Sequence, residues 1–358
     1  MTRPARVVIN LSALQHNFLR VKQLAPNSKI ISIIKADAYG HGITRIASSL
    51  TDTDAFGVAC LEEARELIDI GIGKPVILLE GPYVGNELAE ITSLNLETVI
   101  HDISQVEMLE KSRLDSPVNI WLKVDTGMHR LGFLPADVPA MWQRIKQCKN
   151  IAAIRLMTHL ANASERTHPM TSSQLKIFAS VKGNHHIESS LANSAGIIAF
   201  PDTHAEWVRP GLMLYGVSPM SDSTSVDENL QPVMTMESRL ISVKNVKKDE
   251  TIGYGATWSC PQNMTIGIVA TGYGDGYPRH APSGTPMLVN GQRAGLIGRA
   301  SMDMLIVDLR NHPDAKVGDP VVLWGEGLPV EEIAGYASTI PYELLSSVHK
   351  RLQFVERG

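Results

Sequence analysis

Between residues 30 and 209 the chain alternates short apolar runs with polar or amphipathic stretches about eight times, and few folds accept that rhythm. The runs span residues 30–34, 55–59, 75–79, 96–100, 118–124, 151–158, 186–190 and, more weakly, 206–209. Ile30-Ile31-Ser32-Ile33-Ile34 is continuous rather than alternating, which predicts a strand buried on both faces, as in a parallel sheet. The clearest helical stretch between runs is Leu61-Glu62-Glu63-Ala64-Arg65-Glu66-Leu67-Ile68; Val106-Glu107-Met108-Leu109 is a shorter one. About eight strand–helix units in some 200 residues favour a closed (β/α)8 TIM barrel over an open doubly wound sheet. Chemistry in such a barrel gathers where strands end. Lys35, Arg130, His159, Ser194 and Arg209 all fall there.

Ahead of the first unit, Ser12 reads as the N-cap of a helix that shares Leu14, Phe18, Val21 and Leu24 on one face and ends at Pro26-Asn27. The texture changes after about residue 220, where Ser221 to Asn229 is polar and loop-like. Strand-like runs follow at residues 234–246, 264–270, 287–289, 302–309 and 320–324, with Asn290-Gly291 as a hairpin signal. Short helices are predicted at 330–336 and 342–348. The chain therefore divides into a barrel domain, residues 1–228, and a smaller, mostly β domain, residues 229–358.

Hydrophobic residues at 44% and charged residues at 20% describe a soluble globular chain. A net charge of −4 gives no electrostatic case for nucleic acid. No apolar run reaches membrane-spanning length. The stretch Val7-Val8-Ile9-Asn10-Leu11 is too short for the apolar core of a signal peptide. Cys60, Cys148 and Cys260 are few and scattered, which fits a reducing compartment with no disulfide framework. A cytoplasmic protein is the expectation.

Lys35 leaves the first apolar run and enters the polar turn Ala36-Asp37-Ala38-Tyr39-Gly40-His41-Gly42. A partly desolvated amine in that position is a candidate Schiff-base or proton-transfer group; a solvated lysine that merely ends a strand is the plain alternative. Further segments decide between them. Lys123-Val124-Asp125-Thr126-Gly127-Met128-His129-Arg130-Leu131-Gly132, Thr158-His159, Asn193-Ser194-Ala195-Gly196 and Arg209-Pro210-Gly211-Leu212-Met213-Leu214-Tyr215-Gly216 follow in order. Gly253-Tyr254-Gly255-Ala256-Thr257, Gly272-Tyr273-Gly274-Asp275-Gly276 and Gly298-Arg299-Ala300-Ser301-Met302-Asp303 complete the series. Taken together, from Val7 to about Lys350, they resemble the alanine racemase family, in which an amino-terminal barrel precedes a carboxyl-terminal β domain.

The resemblance implies pyridoxal 5'-phosphate as cofactor and Lys35 as the lysine that binds it. It implies racemisation with a proton carrier on each face of the substrate α-carbon: Lys35 on one, Tyr254 on the other. Tyr254 comes from the partner subunit, in a homodimer with shared active sites. Tyrosine is ordinarily a poor base, and the family surrounds it with a network that includes His159 and Arg209. Arg209 would donate to an unprotonated pyridine nitrogen, since a guanidinium cannot accept that proton. Tyr39, Ser194, the amides of Gly211 and Leu212, and Tyr342 match the family's phosphate cup. Arg130 matches the substrate-carboxylate group, with the Met302 amide from the other subunit. Lys123 matches a lysine that is often carbamylated and pairs with Arg130; an unmodified Lys123 paired with Asp125 or another acid is the alternative. Tyr273, Tyr277 and Arg279 are placed at the entrance, where bulk restricts the substrate to a small side chain, and Asp303 is a supporting residue. The implied reaction interconverts L- and D-alanine, for peptidoglycan or for alanine breakdown.

Two departures from the family pattern stand out. Where many relatives carry an Arg-Val-Pro stretch, this chain has Arg351-Leu352-Gln353 and ends soon after, which leaves a final strand unassigned. Ser301 stands where relatives often have cysteine. A broader racemase on the same scaffold stays open, although Tyr273 and Tyr277 argue against large substrates. A non-catalytic cofactor carrier would need neither Tyr254 nor Arg130. A metal-dependent hydrolase using His159 and His186 lacks carboxylates at the strand ends. His185, His186 and Glu188 suggest no metal site either, because adjacent strand side chains face opposite ways.

Overall fold

The structure, a computed structural model, describes residues 3–183 and 186–358, so His185 lies outside the described residues. The chain forms two compact units. One comprises residues 17–214 and 218–223; the other comprises the amino-terminal stretch through His16, residues 215–217 and residues 224–358.

After β1 (Arg6–Asn10), the first unit is built on β2 (Lys29–Ile33), β3 (Ala55–Val58), β4 (Val76–Leu78), β5 (Glu97–Ile100), β6 (Val118–Lys123), β7 (Ile151–Met157), β8 (Ser189–Ser190) and β9 (Trp207–Val208). Each pairs in parallel with its sequence neighbour and β9 returns to β2, which closes the expected (β/α)8 barrel. Ile31, Ile33, Ala55, Ile77, Val99, Trp121, Met157 and Trp207 form its buried inner cluster. A charged plug shuts the amino-terminal end. The Arg155 guanidinium lies 5.3 Å from the Trp121 ring and 5.7 Å from Trp207, and it donates to Glu97 and Glu188. Lys29 donates to Glu188 from the start of β2. With that end filled, the opposite mouth is left for chemistry.

Two local expectations change. Asn10, not Ser12, caps the first helix (Leu11–Leu24): its Oδ1 accepts from the Ala13 amide at 3.0 Å. Asparagine caps as well as serine and here stands at the end of β1. Strands β8 and β9 are only two residues each, shorter than the apolar runs suggest. Beside them the Glu206 carboxylate takes the Ser189 amide at 2.7 Å, a side chain standing in for a ladder acceptor.

The second unit is mostly β. It contains β10 (Met234–Val246), β11 (Thr251–Ile252), β12 (Trp258–Ser259), β13 (Met264–Val269), β14 (Pro286–Val289), β15 (Gln292–Gly295), β16 (Leu305–Asp308), β17 (Pro320–Trp324) and β18 (Gln353–Arg357). The sheet order is β15-β14-β17-β10-β1-β18, and β13 joins β10 to β16. Along β10, Met234 to Arg239 pair with β1 and β17, Leu240 to Val246 pair with β13, and a register shift between Leu240 and Ser242 interrupts the β13 ladder. Asn290-Gly291 joins β14 to β15 as the sequence predicts. The final strand left unassigned does form: β18 pairs in parallel with β1 from Arg6–Gln353 to Asn10–Arg357. Its sequence carries little strand signal, and the open edge of β1 supplies the order. Tyr277, expected at the entrance, is instead buried and stacks on Trp324 with ring centroids 6.2 Å apart. A large ring opposite another large ring is a core element.

Candidate active site

Lys35 follows β2 after the buried Ile34 and is half-buried. The next four residues, Ala36, Asp37, Ala38 and Tyr39, all take φ between 52° and 54° with ψ between 40° and 53°, one turn of left-handed helix. Each non-glycine residue in that region costs about 1–2 kcal/mol, so the turn persists only where its surroundings hold it. The Glu63 carboxylate takes the Ala36 amide at 2.6 Å and the Ala59 amide at 2.7 Å, tying the turn to the chain beyond β3. Asp37 takes the Ile43 amide at 2.7 Å. His41 Nδ1 lies 3.0 Å from the Ala38 carbonyl and 2.9 Å from that of Tyr39. Two acceptors require the proton on Nδ1, and burial, which pulls this imidazole down to about 4, keeps the ring neutral. The sequence offered no signal for Glu63, whose role exists only once β2 and β3 are side by side.

Four more strand ends supply the rest. Lys123 ends β6, His159 follows β7, Ser194 follows β8, and Arg209 follows β9. Arg209 is buried; Nη1 donates to Ser190 Oγ at 2.6 Å, and Nη2 donates to the carbonyls of Thr158 at 2.6 Å and Leu191 at 3.3 Å. Its Nε–H has no partner among the described residues. Burial lowers this guanidinium to about 10, so it remains a cation at neutral pH. Lys123, Arg130 and His159 line one small cavity. Burial, followed by Arg209, Arg130 and Lys35, draws the Lys123 amine down to about 8. Burial and the same cations together with Lys123 hold His159 well below its ordinary value, hence neutral. Lys123 forms no ion pair among the described residues; Asp125 is occupied by the amides of Gly127 and His129 and by the His129 ring. The expected alternative, Lys123 paired with Asp125, is not what the fold builds. Four cationic side chains converge without a paired carboxylate. Such a site calls for anions.

A donor cup adjoins. Asn193 caps the helix Ser194–Ala199 through the Gly196 amide at 3.0 Å, which leaves the Ser194 hydroxyl for other work. Ser194 Oγ accepts from the Gly211 amide at 2.9 Å and the Met213 amide at 3.3 Å. The Leu212 amide between them has no partner among the described residues. A side chain at Gly211 would meet the Tyr39 hydroxyl at 2.6 Å, so only glycine lets the phenol close over this backbone.

The second unit holds Tyr254, Tyr273, Met302, Asp303 and Tyr342, all exposed. Tyr254 sits in the turn Tyr254–Ala256 and is 67% exposed. The Met302 amide has no partner among the described residues. Arg279 lies 5.9 Å over the Tyr273 ring.

The family model for the alanine racemase N-terminal domain matches residues 9–219, and that for the C-terminal domain matches residues 233–356. The chain belongs to the alanine racemase family. It is 48% identical to alanine racemase of Coxiella burnetii (strain RSA 493 / Nine Mile phase I) over 98% of each chain. It is also 48% identical to alanine racemase of Vibrio cholerae serotype O1 over 99% of each. Among solved structures, the biosynthetic alanine racemase of Pseudomonas aeruginosa is 44% identical, covers 100% of both chains and superimposes with a TM-score of 0.97. Alanine racemase of Bartonella henselae with covalently bound pyridoxal phosphate gives a TM-score of 0.90 at 27% identity over 99% of each chain. As a member of this family the chain is a pyridoxal-phosphate-dependent isomerase of alanine. The alanine racemase cofactor fits the residues present: a phosphate suits the Ser194–Leu212 cup, and the open Nε–H of Arg209 suits an acceptor nitrogen. No three metal-ligating side chains converge among the described residues, and Glu188 is spent on Lys29, Arg155 and Trp207. No helix among them is long and apolar enough to cross a membrane.

Proposed function

We propose that Lys35 and Tyr254 are the two proton carriers of this alanine racemase, acting on opposite faces of the substrate α-carbon. The observation that supports this most is the gathering of Lys35, Lys123, Arg130 and Arg209 at one barrel mouth with no paired carboxylate among the described residues. A cofactor phosphate and a substrate carboxylate are the anions such a site needs.

When bound, pyridoxal phosphate supplies the electron sink that makes the α-hydrogen acidic. Lys35 anchors it; Tyr39, Ser194, the amides of Gly211 and Leu212, and Tyr342 hold its phosphate. Arg209 donates to its ring nitrogen. Arg130 and the Met302 amide of a second copy bind the substrate carboxylate. Lys35 Nζ then takes or returns the proton on one face, and Tyr254 Oη of the second copy does so on the other. His159, kept neutral by burial and surrounding cations, adds no charge against the phenol. Lys123 is carbamylated: its neutral amine adds to carbon dioxide, an N–C bond forms, a proton leaves, and the new anion pairs with Arg130. Tyr273 and Arg279 narrow the entrance to alanine-sized side chains. The working form is a homodimer with shared sites in the cytoplasm, and its D-alanine serves peptidoglycan or alanine breakdown.

The test is spectroscopic and catalytic. Protein reconstituted with pyridoxal phosphate should absorb in the visible, racemise alanine in preference to larger amino acids by circular dichroism, and lose both properties in Lys35→Ala. A colourless, inactive wild-type preparation after reconstitution would contradict the reading.

A further inference from the structure

Asp275 is a fully buried carboxylate that belongs to none of the proton-transfer groups, yet it is among the most heavily bonded acids in the chain. Arg3 donates to it through Nη1 at 2.5 Å and Nη2 at 2.7 Å, and Arg351 donates through Nε at 2.7 Å. The Gly272 amide adds a bond at 2.9 Å and the Thr271 hydroxyl one at 3.2 Å. Both arginines reach past Asp275 to the loop 301–303. Arg351 Nη2 donates to the Asp303 carboxylate at 2.8 Å and the Met302 carbonyl at 3.3 Å, and Arg3 Nη2 donates to the Asp303 carbonyl at 3.2 Å.

The loop carrying Tyr273 is bonded to the same segment. Its Tyr273 amide donates to the Ser301 carbonyl at 3.0 Å, and the Gly274 amide donates to the Met302 carbonyl at 2.9 Å. The approach is so close that a side chain at Gly272 would lie 2.2 Å from the Ser301 oxygen. Every polar group of Met302 except its amide is thereby fixed from behind. The amide itself has no partner among the described residues. An isolated buried ion pair is a poor source of stability, but a carboxylate gripped by two guanidinium groups is a rigid one.

We propose that Arg3 and Arg351, clamped on Asp275, are positioning residues that fix the Met302 amide for the substrate carboxylate. Neither touches substrate. They set the direction of a backbone donor and, through the same loop, the place of Tyr273. The proposal rests on the reading that the Met302 amide binds that carboxylate. A donor held in advance needs no reorganisation on binding, whereas a loosened loop weakens substrate affinity before it slows turnover.

The test uses the cofactor-loaded enzyme and the variants Arg351→Met, Arg351→Lys, Arg3→Met and Met302→Pro. KM and kcat are measured for both alanine enantiomers, together with inhibition by propionate, a carboxylate without the amine. Arg351→Met should raise KM and the propionate inhibition constant together by about tenfold, with kcat within about threefold and cofactor absorbance unchanged. Arg351→Lys should recover part of the loss, and Arg3→Met should act in the same direction. A merely structural role would lower the melting temperature while leaving KM and propionate inhibition alone, and that outcome would overturn the proposal. Met302→Pro removes the amide donor itself. If it weakens propionate while Arg351→Met and Arg3→Met do not, the positioning role fails alone. If Met302→Pro changes neither quantity, the underlying reading fails as well.

Discussion

The Arg209 guanidinium donates to the Thr158 carbonyl at 2.6 Å, so one charged side chain ties the end of β9 to the end of β7 immediately before His159. The same guanidinium holds Ser190 at the end of β8, so three consecutive strand ends share one buried cation. Lysine keeps the charge but cannot reproduce the fork. Arg209→Lys should therefore lower kcat by about 10- to 100-fold while the protein remains folded, as checked by steady-state rates beside thermal unfolding. Unchanged kcat would mean that the fork is dispensable.

Lys123 gives a prediction about chemistry. Its amine stands at about 8 in the folded chain against an ordinary 10.5, because burial and three neighbouring cations disfavour the charged form. The unmodified side chain therefore costs stability progressively as pH falls from 10.5 toward 8, and carries the full penalty below that. Carbamylation removes the penalty. Protein equilibrated with carbon-13 bicarbonate should show one carbamate resonance that disappears in Lys123→Met. Bicarbonate should also raise the melting temperature of the wild type alone.

At the opposite end of the barrel, Glu188 carries a pH signature. Burial works against its charge, but hydrogen bonds from Lys29, Trp207 and Arg155 outweigh it and hold the carboxyl at about 2, below the usual 4.5. A depressed acid contributes stability that is present above 4.5 and is lost as pH falls toward 2. Urea unfolding followed between these limits should show the wild type losing stability more steeply than Glu188→Gln. Parallel curves would remove Glu188 from the plug.

Much of this was legible before the fold was. The rhythm of apolar runs gave the barrel, and the strand ends gave Lys35, His159, Ser194 and Arg209, because parallel strands bury continuous apolar sequence and leave polar residues where they stop. Arg130, read as a strand-end residue, lies instead in the exposed loop after β6. Asn290-Gly291 declared its hairpin through local turn chemistry. Other features exist only in three dimensions. The left-handed turn after Lys35 violates local preference and is held by Glu63, 27 residues away from the amide it accepts. Strand β18 depends on the edge of β1, at the other end of the chain. Tyr277 looked like its neighbour Tyr273, but only the position of Trp324 decides that it is core.

The turn itself can be probed. Glu63→Gln keeps the shape but weakens the acceptor for the Ala36 and Ala59 amides, which are 2.6 and 2.7 Å away. Replacing a charged acceptor by a neutral one should cost about 1 kcal/mol or more at this strained segment. The expected outcome is faster cofactor loss on dialysis, read by absorbance, with the barrel's far-ultraviolet circular dichroism unchanged. Equal retention in both proteins would show that the turn does not need Glu63.

The assignment of two proton carriers is tested most directly by α-hydrogen exchange in deuterium oxide, started separately from L- and D-alanine, in cofactor-loaded Tyr254→Phe. With Lys35 intact and the phenol gone, wash-out should persist from one enantiomer and fall steeply from the other. An equal loss from both would contradict an arrangement in which Lys35 and Tyr254 serve opposite faces.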